Sequence, residues 1–221
     1  MGVAWPALAL SLKVALWASA IDLLLGIGLG LLLARRRFPG RELLDAILTL
    51  PMVLPPTVLG YYLLVLLGRR GWLGAWLLEH FDVSLIFTWQ GAVVAAGVVS
   101  LPLVLRSARA AFEDVNPQLE AAARVLGLGE WSVFLRVTLP LAWRGVLAGL
   151  LLAFARALGE FGATLMVAGS VPGKTQTLSI AVYEAVQSGQ DDLAWRMVAI
   201  ISVTCIGILV AARRLALAGA R

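Results

Sequence analysis

LLLAFARALGEFGATLMVAGSVPGKT, Leu150–Thr175, admits two readings that lead to different folds. Its last eight residues, Ala168–Thr175, fit a relaxed phosphate-loop pattern: a small residue, four spacers, then Gly173-Lys174-Thr175. A working phosphate loop joins a β-strand to a helix, and its backbone N–H groups cradle the phosphates. Here the preceding Leu150–Val167 reads as a membrane helix. Nothing downstream looks like a strand ending in a magnesium-binding Asp, and Pro172-Gly173 is a turn signal. The stretch therefore reads as a helix followed by a turn, and the fold as all-α.

Composition points to the same solvent. The 221 residues are 61% hydrophobic and 14% charged, with a mean hydropathy of +0.91. A soluble domain is nearer half apolar and a quarter charged, so this chain carries more apolar surface than one soluble core hides. Cys205 is the one cysteine and His80 the one histidine, which excludes a disulfide framework, a Cys-based metal site and a multi-histidine centre. An intramembrane enzyme would need a nucleophile–base or metal constellation at depth, and His80 in a loop does not supply one. The net charge of +5 reads as basic loops beside a membrane, not as a nucleic-acid surface, because no soluble basic domain is left to form one.

Five apolar runs, near residues 8–34, 44–67, 84–106, 143–167 and 193–212, approach the roughly 20 residues needed to cross the hydrocarbon layer. The first outlasts the ~7–15-residue core of a signal peptide and reads as a retained span. Trp72, Trp76, Leu77 and Phe81 suggest a short interfacial helix after the second. If the loop after the first span is cytoplasmic, so are the third loop and the tail, and twelve of the 18 basic residues lie inside, among them Arg213, Arg214 and Arg221. The positive-inside rule then puts the N-terminus outside and the C-terminus inside; Arg69 and Arg70 dissent. The whole chain, 1–221, reads as one transmembrane domain with a cytoplasmic loop at about 107–141.

Several helix-level features stand out. Gly26/Gly30 and Gly145/Gly149 are small-xxx-small pairs that let helix backbones approach closely, within the chain or at a subunit interface. Pro51, Pro55 and Pro56 break the second span, and broken helices often line transport pathways. Pro102 adds a break to the third. Arg156 and Glu160 lie at i and i+4 in the fourth span, on one helical face, either as a structural ion pair or as a gate or anion path. Asp22, in the first span, needs a partner that the sequence does not identify, while Lys13 can snorkel outward. Neither His80 nor Cys205 is assigned a role.

The third loop carries EDVNPQLEAAARVLGLGEWSVFLRVTLP, Glu113–Pro140. Asn116-Pro117 is a helix start, Gly127 and Gly129 form a corner, and EWSVFLRVTL resumes as a second short helix. Leu126, Leu128, Trp131 and Phe134 offer apolar surface of the kind that marks partner sites.

This loop resembles the signature of ABC importer permeases: EAA, three residues, Gly, nine residues, Ile-x-Leu-Pro. Gly127, nine residues and Val137-Thr138-Leu139-Pro140 keep the spacing, with Val in place of Ile, and Ala122 and Ala123 fit the position before the glycine. Glu120 departs, standing one residue early, which turns it by ~100° on a helix. RRRFPGRELLDAILTLPMVLPPTVLGYYLLVLLGRRGWLG and LLLAFARALGEFGAT are similar to molybdate importer permeases, so the resemblance covers nearly all of the chain. Sulfate permeases share LGEFGA but match the second span less closely.

The resemblance implies a type I ABC importer permease in the cell inner membrane, with multiple spans. Its expected partners are a second copy in a homodimer, two cytoplasmic ABC ATPase subunits and an external oxyanion-binding protein. ATP and magnesium would bind the ATPase, with no cofactor or catalytic residue in this chain. Coupling to the ATPase falls on Glu120, Ala122, Ala123, Arg124, Gly127, Leu128, Gly129, Glu130, Trp131, Leu139 and Pro140. Together with the broken spans, it directs the pathway to Pro55, Pro56, Thr57, Arg156, Gly159, Glu160 and Thr164. The implied cargo is molybdate, with tungstate possible and a sulfate- or thiosulfate-type permease as the alternative.

Overall fold

The computed structural model of the chain describes residues 4–218. The side chains of Arg213 and Arg214, and all of Arg221, lie outside the described residues. Every regular element described is helical. Helices α1 (Ala4–Arg35), α5 (Trp89–Glu113) and α8 (Leu139–Leu158) pack together, with α5 at the centre. Two-thirds of the most apolar window of α5 is buried (67%), against 33% for α1. The outer helices thus keep wide apolar faces for lipid or partner chains.

Glycine explains how closely these three helices approach. A β-carbon added at Gly26 would come 2.6 Å from Val104 Cγ1, and one at Gly30 would come 3.1 Å from Ala108 Cβ. On the other side of α5, Gly145 faces Ala111 and Gly149 faces Ser107, each at 2.5 Å by the same construction. Both small-residue pairs therefore clasp α5 within one chain. The polar seams agree. Ser100 Oγ donates to Asp22 Oδ2 at 2.5 Å, which supplies the partner the sequence left open. Lys13 Nζ lies 3.6 Å over the Trp89 ring.

The second span is interrupted as its prolines predict. Helix α2 (Arg41–Thr49) runs into a 3-10 turn (Leu50–Met52), and α3 (Pro56–Leu67) leaves at 112°. Pro55 is extended (φ −55°, ψ 135°) because the following proline ring excludes the α region. Among the described residues, four helices are long and apolar enough to cross a membrane, or five if this bent pair counts as one span. Helix α4 (Trp72–Phe81) is the short helix expected after it.

Three expectations change. Pro102 lies inside an unbroken α5, which starts at Trp89 and runs on to Glu113 rather than occupying 84–106. Thr88 fixes its start, accepting from Gly91 N–H at 3.1 Å, and a packed membrane helix tolerates one missing donor. The fourth span is not 143–167. It runs from Glu130 to Leu158 through α7 (Glu130–Val133), a π turn (Phe134–Thr138) and α8. The wide turn precedes Pro140, which has no N–H to give a regular ladder. After a break at Gly159–Phe161, α9 (Gly162–Ala168) is a separate helix packed on α3. Finally, α10 (Leu178–Gln187) adds a helix between the fourth and fifth apolar runs, where none was expected, and it packs on α11 (Asp191–Ala218) and α1.

Candidate functional site

Two interruptions of the helical fold gather the candidate residues. The first is the loop knob. Asn116 caps α6 (Pro117–Val125), its Oδ1 accepting from Gln118 N–H at 2.9 Å, with Pro117 in the first turn. The helix ends at Gly127, whose φ of +85° is left-handed. Leu128 N–H donates to Ala123 O and Gly127 N–H to Arg124 O, the paired bonds of a Schellman stop. Beyond this corner the chain turns at Gly129 into α7, which continues into the fourth span. The expected second short helix is thus the root of a membrane helix.

The knob has two faces. Val125 (88% exposed), Leu126 (82%) and Trp131 (77%) turn outward, together with Ala122, Arg124, Gly127, Gly129, Glu130 and Pro140. Leu128 and Leu139 are half-buried, and Ala123 is buried. Arg124 donates to both Glu130 oxygens, at 2.7 and 3.1 Å, and this bond raises the guanidinium pKa above its ordinary value. Glu120 points the other way and is buried. Its Oε1 accepts from Arg35 Nη2 and from Thr138 Oγ1, each at 2.7 Å, and Arg124 lies 4.0 Å from Oε2. Neighbouring pairs bind the same end of the fold: Arg109 bridges Asp45 at 3.0 Å and Glu113 at 2.9 Å.

The second interruption joins α3 to the break after α8. Gly162 abuts the start of α3, where an added β-carbon would meet Pro56 Cβ at 3.1 Å and Thr57 N at 3.3 Å. Gly60 does the same against Met166 Cβ (2.8 Å) and Ala163 Cα (2.9 Å). Glu160 is buried at the break, and both of its oxygens are occupied. Oε2 accepts from Arg156 Nη1 at 2.7 Å, and Oε1 accepts from Ala163 N–H at 2.9 Å. The carboxylate therefore caps α9 while holding the last turn of α8. Glu160 stands outside the helix, so the pair spans a helix end rather than one helical face. Arg156 keeps 37% of its side chain exposed. Pro55, Pro56, Thr57 and Gly159 are also exposed, whereas Thr164 is buried within α9.

The Gly-Lys-Thr segment is a turn between α9 and α10. Val171 O accepts from the N–H groups of Lys174, Thr175 and Gln176, and Thr175 Oγ1 accepts from Val171 N–H. These donors are engaged within the loop instead of converging on an empty cradle.

Sequence reasoning missed Arg35 and Thr138 as partners of Glu120, and Gly60 and Gly162 as the contact between α3 and α9. Gly162 stood in plain view inside LGEFGA. Arg35 was one of a run of three arginines, with nothing to single it out.

The profile of the family described as binding-protein-dependent transport system inner membrane component matches residues 26–218. The molybdenum transport system permease protein ModB of Escherichia coli (strain K12) is 47% identical over 208 residues, covering 93% of this chain and 91% of that protein. The sulfate transport system permease protein CysW of Synechocystis sp. is 38% identical over 204 residues, covering 92% and 74%. Among solved structures, a bacterial alginate ABC transporter in complex with an alginate pentasaccharide-bound periplasmic protein superposes with a TM-score of 0.74 at 19% identity. That match covers 94% of this chain and 76% of the other, and it identifies a shared fold. With a helical membrane architecture, a glycine-cornered loop and a match along nearly its whole length, the chain belongs to the family of binding-protein-dependent transport system inner membrane components.

Proposed function

We propose that this chain is the membrane-spanning subunit of an ATP-driven molybdate importer. The observation that carries the reading is 47% identity to a molybdenum permease over 93% of the chain, against 38% to a sulfate permease. The permease works as a homodimer with two ATPase subunits and an external binding protein, and ATP and magnesium are held by the ATPase. The N-terminus is outside and the C-terminus inside. Arg35, Arg41 and Arg109 support this orientation, since their ion pairs gather at the knob end of the fold and basic residues favour the cytoplasmic side.

The outward face of the knob, from Arg124 to Trp131, seats in the ATPase. Its large exposed apolar side chains support this, because such a patch marks a partner site. ATP binding closes the ATPase pair and moves the knob. The segments meeting at Pro56, Thr57, Gly159 and Glu160 then rearrange to admit oxyanion released outside. Arg156 offers that anion a half-exposed positive charge, and Glu160 sets its position. Nucleotide shifts such an equilibrium only by its differential affinity for the two states.

Reconstitution tests the reading. Proteoliposomes holding the permease, its ATPase and its binding protein should take up molybdate only with ATP, and excess sulfate should compete poorly. Uptake of sulfate in preference to molybdate would assign the cargo to the other branch of the family. Uptake indifferent to ATP would sink the importer reading itself.

A further inference from the structure

The knob is fixed to the fourth span by chain continuity, since α7 runs through the π turn into α8. Its attachment to α1 is different. Helix α6 packs chiefly on α7 and the π turn, and a cavity of about 810 Å³ opens between the end of α1 and the knob. Leu31, Leu32 and Phe134 line that cavity, and so do Arg35, Glu120 and Thr138. At this level apolar packing leaves a gap, which the carboxylate bridges.

We infer that Glu120 is a latch that passes movement of the knob into α1 through Arg35, a positioning role distinct from contact with the ATPase. One carboxylate oxygen holds three elements at once: α6, which carries it; the π turn, through Thr138; and the last turn of α1, through Arg35. The side chain is 8% exposed, so it offers an external partner almost nothing. Charge is essential to the link, because a carboxylate–guanidinium bond is about twice as strong as a neutral one. The one-residue offset of Glu120 from the usual signature is what turns it inward. The neighbouring Arg124 makes its short bond to Glu130 at 2.7 Å and stays 4.0 Å from Glu120, so Arg35, at 2.7 Å, is the cation that Glu120 binds directly. When the ATPase pushes the knob, α8 follows through its own backbone and α1 follows through this bond.

This inference rests on the importer reading above, and the experiment separates the two. Glu120→Gln is nearly isosteric: its amide oxygen still accepts from Thr138, but it no longer balances Arg35. In proteoliposomes with the complete transporter, the variant should still copurify its ATPase, while molybdate taken up per ATP hydrolysed falls about 2- to 30-fold. The double exchange Arg35→Glu with Glu120→Arg restores the pair in reverse and should recover most of that ratio. An unchanged ratio in Glu120→Gln overturns the latch. Loss of the copurified ATPase, unrescued by the exchange, also overturns it and assigns Glu120 to the docking face. Failure of the wild-type complex to couple uptake to ATP would instead reject the importer reading.

Discussion

Glu120 and Glu160 are both buried, and both accept from an arginine at 2.7 Å, Glu120 from within α6 and Glu160 at the break after α8. Their reach along the chain separates them. Glu120 is bound by Arg35, 85 residues away, whereas Glu160 is bound by Arg156, four residues away. The first joins the last turn of α1 to α6 and the π turn across a cavity, so it is placed to transmit motion. The second joins the end of one helix to the start of the next, so it sets a local shape. Equivalent chemistry thus does different mechanical work, and sequence separation, rather than bond length, tells the two apart.

The largest expected effect tests the local pin. Glu160→Ala leaves the Ala163 N–H and the Arg156 guanidinium without their partner. Breaking a buried pair costs about 3 kcal/mol, less here because Arg156 keeps access to water. Thermal unfolding in detergent should show this loss, and Glu160→Gln, which keeps an acceptor for Ala163, should lose about 1 kcal/mol. Equal melting of both variants and the wild type would remove the pin from the account.

Gly60→Val sharpens the same region by forcing α3 from α9. Overpacking of this kind costs about 1–3 kcal/mol, and it should lower both the melting temperature and the transport rate. A variant of wild-type stability would mean that the two helices separate easily.

At the knob, Gly127→Val must hold a β-branched residue at φ +85°, at a cost of about 1–2 kcal/mol. Space is not the obstacle, since an added β-carbon meets nothing within 4 Å. Membrane insertion should persist while ATP hydrolysis and uptake uncouple. Normal substrate-stimulated turnover in that variant counts against the corner as a coupling element. The smallest effect belongs to Arg124→Ala. Its short bond to Glu130 is largely exposed and its contact with Glu120 is long at 4.0 Å, and such pairs contribute little, so melting should be nearly unchanged. A clear drop would show that the outer face of the knob is part of the stabilising framework.

Much of this was legible along the chain. Apolar length located the spans but not all their ends, because a helix in lipid must satisfy its own backbone and needs only enough apolar residues to cross. Pro51, Pro55 and Pro56 announced the bend before α3, and Gly127 the end of α6, since both residue types act on their own backbone. Pro102 misled for the complementary reason: one missing donor breaks a helix only when the surroundings fail to hold it, and α5 is the most enclosed of the four long helices. The end of the fourth span misled because Ala163–Val167 is apolar enough to continue a helix. What stops it is the Glu160 carboxylate caught between Arg156 and the Ala163 N–H.

Hydropathy, ring closure and a left-handed φ are local properties, so the solvent, the helical class and the positions of the sharp turns at Pro55 and Gly127 could be read along the chain. The inward turn of Glu120, the clasp of the glycine pairs on α5 and the meeting of α3 with α9 came from packing instead. Each of these joins residues distant in the chain, and such contacts exist only once the helices have packed.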